Sequence, residues 1–241
     1  MSIDEQSLLL ELDNVCLDYH PGKSRPDQLV LDQVSLKLYR GETLGVIGKN
    51  GCGKTTILRV MAGILAPTSG VVKARAGVTA SLLTIGLGFR ADLSGRNNAL
   101  LSAMLQGSSR ADAESLLEEI KDFSELGESF EEPVKSYSSG MRARLGFTTA
   151  LITHVDILLV DEILSVGDAH FRQKAQSAMK DRIGGDQTVV FVSHNDPQVK
   201  DLCDRAIWLN EARIAAQGDV SDVLVEYRKY IHAMSNVAPT S

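Results

Sequence analysis

Three short, almost unbroken apolar runs constrain this chain more than any other feature: Thr43–Ile47, residues 155–160 and Thr188–Val192. Successive side chains of a strand point to opposite faces, so a run without polar alternation has to be covered on both sides. None approaches the roughly 20 apolar residues that cross a bilayer. Between the runs lie segments of helical period, at 55–62 and from about Gly140, where Met141, Leu145, Thr148 and Ile152 share one side. Strands alternating with helices predict an α/β fold with a parallel central sheet. Such sheets bind ligands beyond the carboxyl ends of their strands, so the functional loops are expected after Ile47, Val160 and Val192.

The rest of the chain fits around that sheet as a single domain over 1–241. Residues 34–40 alternate apolar and polar, as a half-buried strand does, and predict a β-rich N-terminal region. The helix at 55–62 ends at Gly63, with Pro67 beyond it. From Arg96 to about Phe123 the pattern is helical with a charged exterior and a break at 107–109, which predicts an inserted helical subdomain over about 90–155. Residues 206–209 and 212–217 read as a hairpin joined at Asn210-Glu211, although Glu211 is poorly suited to positive φ. Asp219 is placed to cap an amphipathic helix over about 219–235, carrying Val220, Val223, Leu224, Tyr227 and Ile231, ahead of a frayed end.

Charge narrows the function. Lysine and arginine total 25 against 31 aspartates and glutamates, a net charge of −6. That balance argues against a broad basic face for nucleic acid, so an anionic ligand has to be held locally. Cys16, Cys52 and Cys203 show no metal-ligand spacing and read as reduced thiols. The acidic first ten residues lack the basic start of a signal peptide.

The loop after Ile47 reads Gly48-Lys-Asn-Gly-Cys-Gly-Lys-Thr55. It fits GxxxxGK[ST] between a buried strand and a helix, the setting of a phosphate-binding loop. Gly48, Gly51 and Gly53 let the backbone turn its N–H groups inward, and the following helix adds its positive end. Lys49, Asn50, Cys52 and Thr56 complete the residues expected around the phosphates. Lys54 is expected to reach the β- and γ-phosphates and the Thr55 hydroxyl to ligate Mg²⁺. Cys52, beside a helix N-terminus, is expected to have a lowered pKa and a reactive thiol.

Asp161 ends the second apolar run, where it can hold magnesium, and Glu162 beside it can polarise an attacking water; alone, the two carboxylates could equally cap the next helix. In the third loop His194 can face a γ-phosphate or serve as a structural hydrogen-bonding group. Tyr137, Ser138, Ser139, Gly140 and Met141 make either a phosphate-ready helix start or a simple cap. Tyr19 can stack on a base or belong to core or surface.

In this order the elements resemble an ABC transporter ATPase over nearly the whole chain: Tyr19 as the A-loop aromatic, 48–55 as Walker A, 137–141 as the signature, 157–162 as Walker B, 165–168 as the D-loop and His194 as the switch histidine. The resemblance implies ATP and Mg²⁺, a P-loop core with an N-terminal antiparallel β region and a helical subdomain, and catalytic roles for Glu162, His194 and Lys54. It also implies a homodimer closed head to tail, with Ser138, Ser139 and Gly140 of one subunit against the γ-phosphate held by Lys54 of the other, and Met141 completing the signature. Residues 133–141, 161–169 and 94–98 are similar to the ATPases that export O-antigen, capsule or teichoic acid, with Ser-Ser-Gly-Met replacing Ser-Gly-Gly-Gln. That branch implies a peripheral subunit on the cytoplasmic face of the cell (inner) membrane, driving a permease dimer that handles a lipid-linked polysaccharide. No glutamine occupies 83–90, where the family's Q-loop is expected. Some O-antigen members of the branch carry a further carbohydrate-binding domain; if the chain is complete, glycan selection is expected elsewhere. Soluble ABC ATPases of DNA repair or translation, the first rival, resemble either a domain split by a long coiled coil or two ATPase domains in one chain. A P-loop kinase, the second, leaves residues 137–141 without a role.

Overall fold

Strand alternation and helical period divide the chain into β1 (Leu8–Leu17), β2 (Leu31–Tyr39), β3 (Thr43–Ile47), α1 (Lys54–Met61), β4 (Ser69–Ala74), β5 (Ala80–Leu82), α2 (Gly95–Leu105), α3 (Arg110–Ser115), α4 (Leu117–Ser124), α5 (Ser139–Ile152), β6 (Ile157–Asp161), α6 (Ala169–Ile183), β7 (Thr188–Val192), α7 (Asp196–Leu202), β8 (Arg205–Asn210), β9 (Arg213–Asp219) and α8 (Val220–Ser235). The computed structural model describes residues 7–19, 29–83, 86, 88–161, 168–183, 185, 187–193 and 195–235. They fall into two compact units, one drawn from Met1–Val78, Leu159–Glu162 and Ile183–Ser241, the other from Thr79–Leu158 and Ile163–Arg182.

In the first unit the apolar runs pair as expected. Every residue of β3 and β7 is buried, and β3 runs parallel to β7 (Val46 opposite Val192) and to β8 (Ile47 opposite Trp208). Strand β3 lies between β7 and β8 in the sheet, so the loop it feeds leaves from an interior strand. Strands β2-β1-β4 form the expected N-terminal sheet, antiparallel throughout. The β8–β9 hairpin exists, but its turn lies one residue later than the sequence suggests. Glu211 (φ 47°) and Ala212 (φ 66°) are the two left-handed residues, because a two-residue turn matching the strand twist needs positive φ at both positions whatever their side chains prefer. Asp219 accepts a hydrogen bond from the Ser221 N–H at 2.8 Å, and α8 then packs Val220, Val223 and Leu224 on Ile47, Val199 and Trp208.

The second unit holds α2–α5. The break at 107–109 yields two helices after α2, since Ser109 caps α3 by accepting from the Asp112 N–H and Leu116 separates α3 from α4. Leu117, Ile120, Phe130, Tyr137, Leu145 and Ile152 form its core. The segment 94–98 is architectural here. Ser94 caps α2, and a Cβ on Gly95 would sit 2.2 Å from Tyr137 Oη and 2.9 Å from the Phe130 carbonyl, so no larger residue fits. The fully buried Asn98 accepts from the Arg90 N–H (2.6 Å) and donates to the carbonyls of Arg90, Leu93 and Ser94 (2.9–3.0 Å). The polar interruption of the second apolar run, Asp156, is spent on Thr79, whose N–H and hydroxyl both donate to its carboxylate at 2.8 and 2.9 Å. The strand accordingly begins at Ile157 and not at Val155.

Candidate functional site

The loop leaving β3 has the shape its glycines predict. Gly48 (φ 148°) and Gly53 (φ 108°) take conformations that side chains resist, and each also lies against a carbonyl: added Cβ atoms would approach Leu209 O to 2.3 Å and Val30 O to 2.6 Å. The chain therefore presses its backbone onto β8 on one side and onto the residue preceding β2 on the other. Gly53 stands at the N-cap of α1 without any side-chain cap, and no acidic residue lies in the first turn. The positive helix end is thereby left to an anion.

Lys54 folds back across this loop. It is buried, and its ammonium donates to the carbonyls of Gly48 and Lys49, both at 2.8 Å. Those bonds place a cation inside the loop before a phosphate arrives. Tyr19, Val30, Asn50, Gly51, Gly53, Lys54, Thr55, Thr56 and Asp161 line one cavity of about 460 Å³. Tyr19 stands at its rim, about half exposed, with its hydroxyl 3.0 Å from Thr56 Oγ1. Its ring is thus anchored beside the phosphate loop and open to a stacking partner. Asp161 is the one residue of β6 that is not buried, and it brings a carboxylate to the cavity that holds the Thr55 hydroxyl. Thr55 and Asp161 thus both line this cavity, and hydroxyl and carboxylate oxygens are hard donors of the kind a magnesium ion takes.

Two residues of the loop behave differently from expectation. Burial pushes the Cys52 thiol above its ordinary pKa, outweighing the nearby Lys54 charge and the backbone N–H groups that pull it down, the opposite direction to the one expected at a helix N-terminus. The Lys49 side chain turns to α8 and lies 4.9 Å over the Tyr230 ring.

The serine and glycine of 137–141 belong to the second unit. Ser138 caps α5 by accepting from the Met141 N–H at 3.1 Å, while Ser139 is exposed and a Cβ on Gly140 would meet nothing nearer than Ser138 Oγ at 3.8 Å. This helix end is open. Tyr137, by contrast, is core, with its hydroxyl donated to the Ser129 carbonyl. Asp168 accepts from the Phe171 N–H at 2.9 Å at the start of α6, and that bond holds its carboxyl below the usual range. Glu162 and His194 lie outside the described residues; around His194, Ser193 Oγ accepts from the Asn195 N–H and Asn195 caps α7.

Sequence reasoning missed Val30, whose carbonyl packs on Gly53, and the α8 residues beneath Lys49. Val30 carries no chemical signal beyond preceding a strand, and α8 reads as an ordinary amphipathic helix. Among the described residues no cluster of three His, Cys, Asp or Glu side chains could hold a metal, and no helix is long and apolar enough to cross a membrane.

Comparison with known proteins agrees with this geometry. Residues 31–165 match the family model described as ABC transporter. The chain is 42% identical over 211 residues to the O-antigen export system ATP-binding protein RfbB of Myxococcus xanthus, covering 87% of this chain and 48% of that protein. It is 40% identical over 206 residues to the teichoic acids export ATP-binding protein TagH of Shouchella clausii, covering 86% and 57%, so it spans about half the length of these two relatives. Against the RfbB of Klebsiella pneumoniae it is 40% identical over 201 residues, covering 83% and 81%. Among solved structures, the ATP binding subunit of an ABC transporter superposes with a TM-score of 0.74 at 20% identity, covering 91% of this chain and 93% of that one. A dimeric ATP-binding cassette in a post-hydrolysis state with ADP and Pi gives 0.68 at 20% identity, covering 88% and 99%. Both carry the same α/β fold.

Proposed function

Because the chain belongs to the ABC transporter family, we propose that it is the ATP-hydrolysing subunit of a polysaccharide exporter, acting as a homodimer on a separate membrane permease. The observation that carries the nucleotide half of this reading is the one cavity that holds Tyr19, Gly51, Gly53, Lys54, Thr55, Thr56 and Asp161 together. The export half rests on the relatives named for O-antigen and teichoic acid export and on the tokens Ser-Ser-Gly-Met and Ser94–Asn98 in the sequence.

In this reading Tyr19 stacks on the adenine, the glycine turn offers N–H groups to the β- and γ-phosphates, and Lys54 exchanges its two carbonyl partners for phosphate oxygens. Magnesium, held by Thr55 and Asp161, would neutralise charge developing between the two terminal phosphates. Glu162 accepts the proton of the attacking water, and His194 faces the γ-phosphate. Ser138, Ser139 and Gly140 of the partner subunit close the site from the open N-terminus of α5, with Met141 in the same turn. Lys49, Asn50 and Cys52 contribute main chain only. The whole of 1–241 acts as one nucleotide-binding domain in which 90–155 is the helical subdomain and α8 the C-terminal element. It works on the cytoplasmic face of the cell membrane, held there by the permease, which handles the lipid-linked glycan. The −6 net charge supports a nucleotide ligand held by local contacts over any nucleic-acid partner.

Copurification after detergent extraction tests the assembly. A protein of several membrane spans retained with the chain, and released by neither salt nor nuclease, is the expected result. Recovery with DNA or ribosomes and no membrane protein would overturn the export reading and favour a soluble ATPase.

A further inference from the structure

Lys49 is the second cation of the glycine-rich loop, and its side chain lies against α8 and does not line the cavity that holds Lys54. Its ammonium lies 4.9 Å from the centroid of the Tyr230 ring and 2.7 Å from Met234 Sδ, both on the last turns of α8. Its main chain does something else: the Lys49 carbonyl accepts from Lys54 Nζ at 2.8 Å and from the Cys52 N–H at 3.3 Å. One residue therefore connects the C-terminal helix to the ammonium that is to meet the triphosphate.

The far end of the connection is packed against other elements. Tyr230 packs on Trp208 at 5.0 Å between centroids, and Trp208 on Tyr227 at 5.7 Å. Trp208 is opposite Ile47, the last residue of the strand that feeds the loop. Arg228 bonds Asp196 at 2.8 Å and fastens α8 to α7. The loop is thus pressed on β8 through Gly48 and hooked to α8 through Lys49. A glycine-rich turn has many alternative backbone states, and removing them before binding is what raises affinity in a preorganised site.

We infer that Lys49 is a positioning residue whose hold on Tyr230 and Met234 makes α8 a brace for the phosphate loop, fixing the carbonyl that aims Lys54. The inference rests on the nucleotide-binding role proposed above. A cation over an aromatic ring at a part-exposed site contributes enough to change an equilibrium constant about two- to five-fold, and that is the expected loss of Mg-ATP affinity when the hook is cut.

The test is calorimetric titration of the full chain with Mg-ATP for wild type, Lys49→Met, Tyr230→Leu, the double variant and Tyr230→Phe, with Met234→Ala as an independent cut on the same hook. Thermal melts report whether each variant folds. Each single cut is expected to raise the Kd about two- to five-fold; the double variant is expected to match the singles, and Tyr230→Phe, which keeps the ring face, to bind like wild type. Where ATP turnover is followed, the loss is expected in KM with kcat nearly unchanged. Unchanged Kd in Lys49→Met and Tyr230→Leu, additive losses in the double variant, or a Tyr230→Phe loss equal to that of Tyr230→Leu would overturn the brace. A wild-type chain that binds no Mg-ATP would instead remove the nucleotide reading on which it stands.

Discussion

Replacing Gly48 and Gly51 separately by alanine separates two costs that are usually confounded in phosphate loops. Both glycines have positive φ, 148° and 80°. The Gly51 position is open, with nothing within 4 Å of an added Cβ, whereas at Gly48 that atom would lie 2.3 Å from the Leu209 carbonyl oxygen and 2.7 Å from Cys52 Sγ. Gly51→Ala therefore carries only the left-handed strain, about 1–2 kcal/mol. Gly48→Ala adds to a glycine-only backbone region the displacement of a strand carbonyl, for a combined loss of about 4 kcal/mol. Urea unfolding of the nucleotide-free protein measures both, and Mg-ATP titration is expected to follow the same order, with Gly51→Ala weakened about tenfold and Gly48→Ala without measurable binding. Equal destabilisation by the two substitutions, or the larger loss at Gly51, would refute the claim that the loop is seated on β8.

Three further outcomes follow. Asn98→Ala strands the Arg90 N–H and removes the two amide N–H donors shared among the carbonyls of Arg90, Leu93 and Ser94, a loss of about 3 kcal/mol in urea unfolding, and a loss under about 1 kcal/mol would show that the amide does not hold the 90–94 turn. Burial pushes the Cys203 thiol up to about 12 and the Cys52 thiol above its ordinary value. Maleimide labelling of Cys52 and Cys203 in the native protein should thus be slow at neutral pH and rise as pH climbs. Because the folded thiols keep their protons longer than the unfolded ones, stability should fall from about pH 8.5 upward; fast labelling of Cys203 at pH 7 in native protein would contradict the burial. Finally, mixing Lys54→Ala with Ser139→Arg subunits is expected to build heterodimers with one intact site and one lacking both elements. ATPase activity returning on mixing, or remaining absent while heterodimers form, fits a shared site, and a fully active monomer in sedimentation would exclude it.

The parts of this molecule that were legible in advance are those where one physical demand overrides the neighbours. An apolar run such as Thr188–Val192 has no stable place except a covered strand, and GxxxxGK[ST] between strand and helix allows few shapes. Elsewhere the sequence carried a local signal that tertiary context redirected. Glu211 argued against a left-handed turn residue, yet hairpin twist imposes positive φ on it. Cys52 argued for an activated thiol from its place at a helix start, yet desolvation outweighs the helix end and Lys54 together. The three-helix division of 95–124 hinged on Ser109 as a cap, a signal no stronger than many unused serines. Lys49 read as one more phosphate ligand, because nothing in the loop reveals that α8, some 180 residues later, ends on it.

Steady-state phosphate release from Mg-ATP by the purified chain, measured beside Mg-ATP affinity for wild type, Lys54→Ala and Glu162→Gln, tests ATP hydrolysis at this site most directly. Wild type is expected to bind and hydrolyse, Lys54→Ala to lose affinity, and Glu162→Gln to keep affinity while losing nearly all turnover and accumulating a nucleotide-bound dimer. Unchanged Mg-ATP affinity in Lys54→Ala, or a Glu162→Gln chain that turns over like wild type, would contradict it.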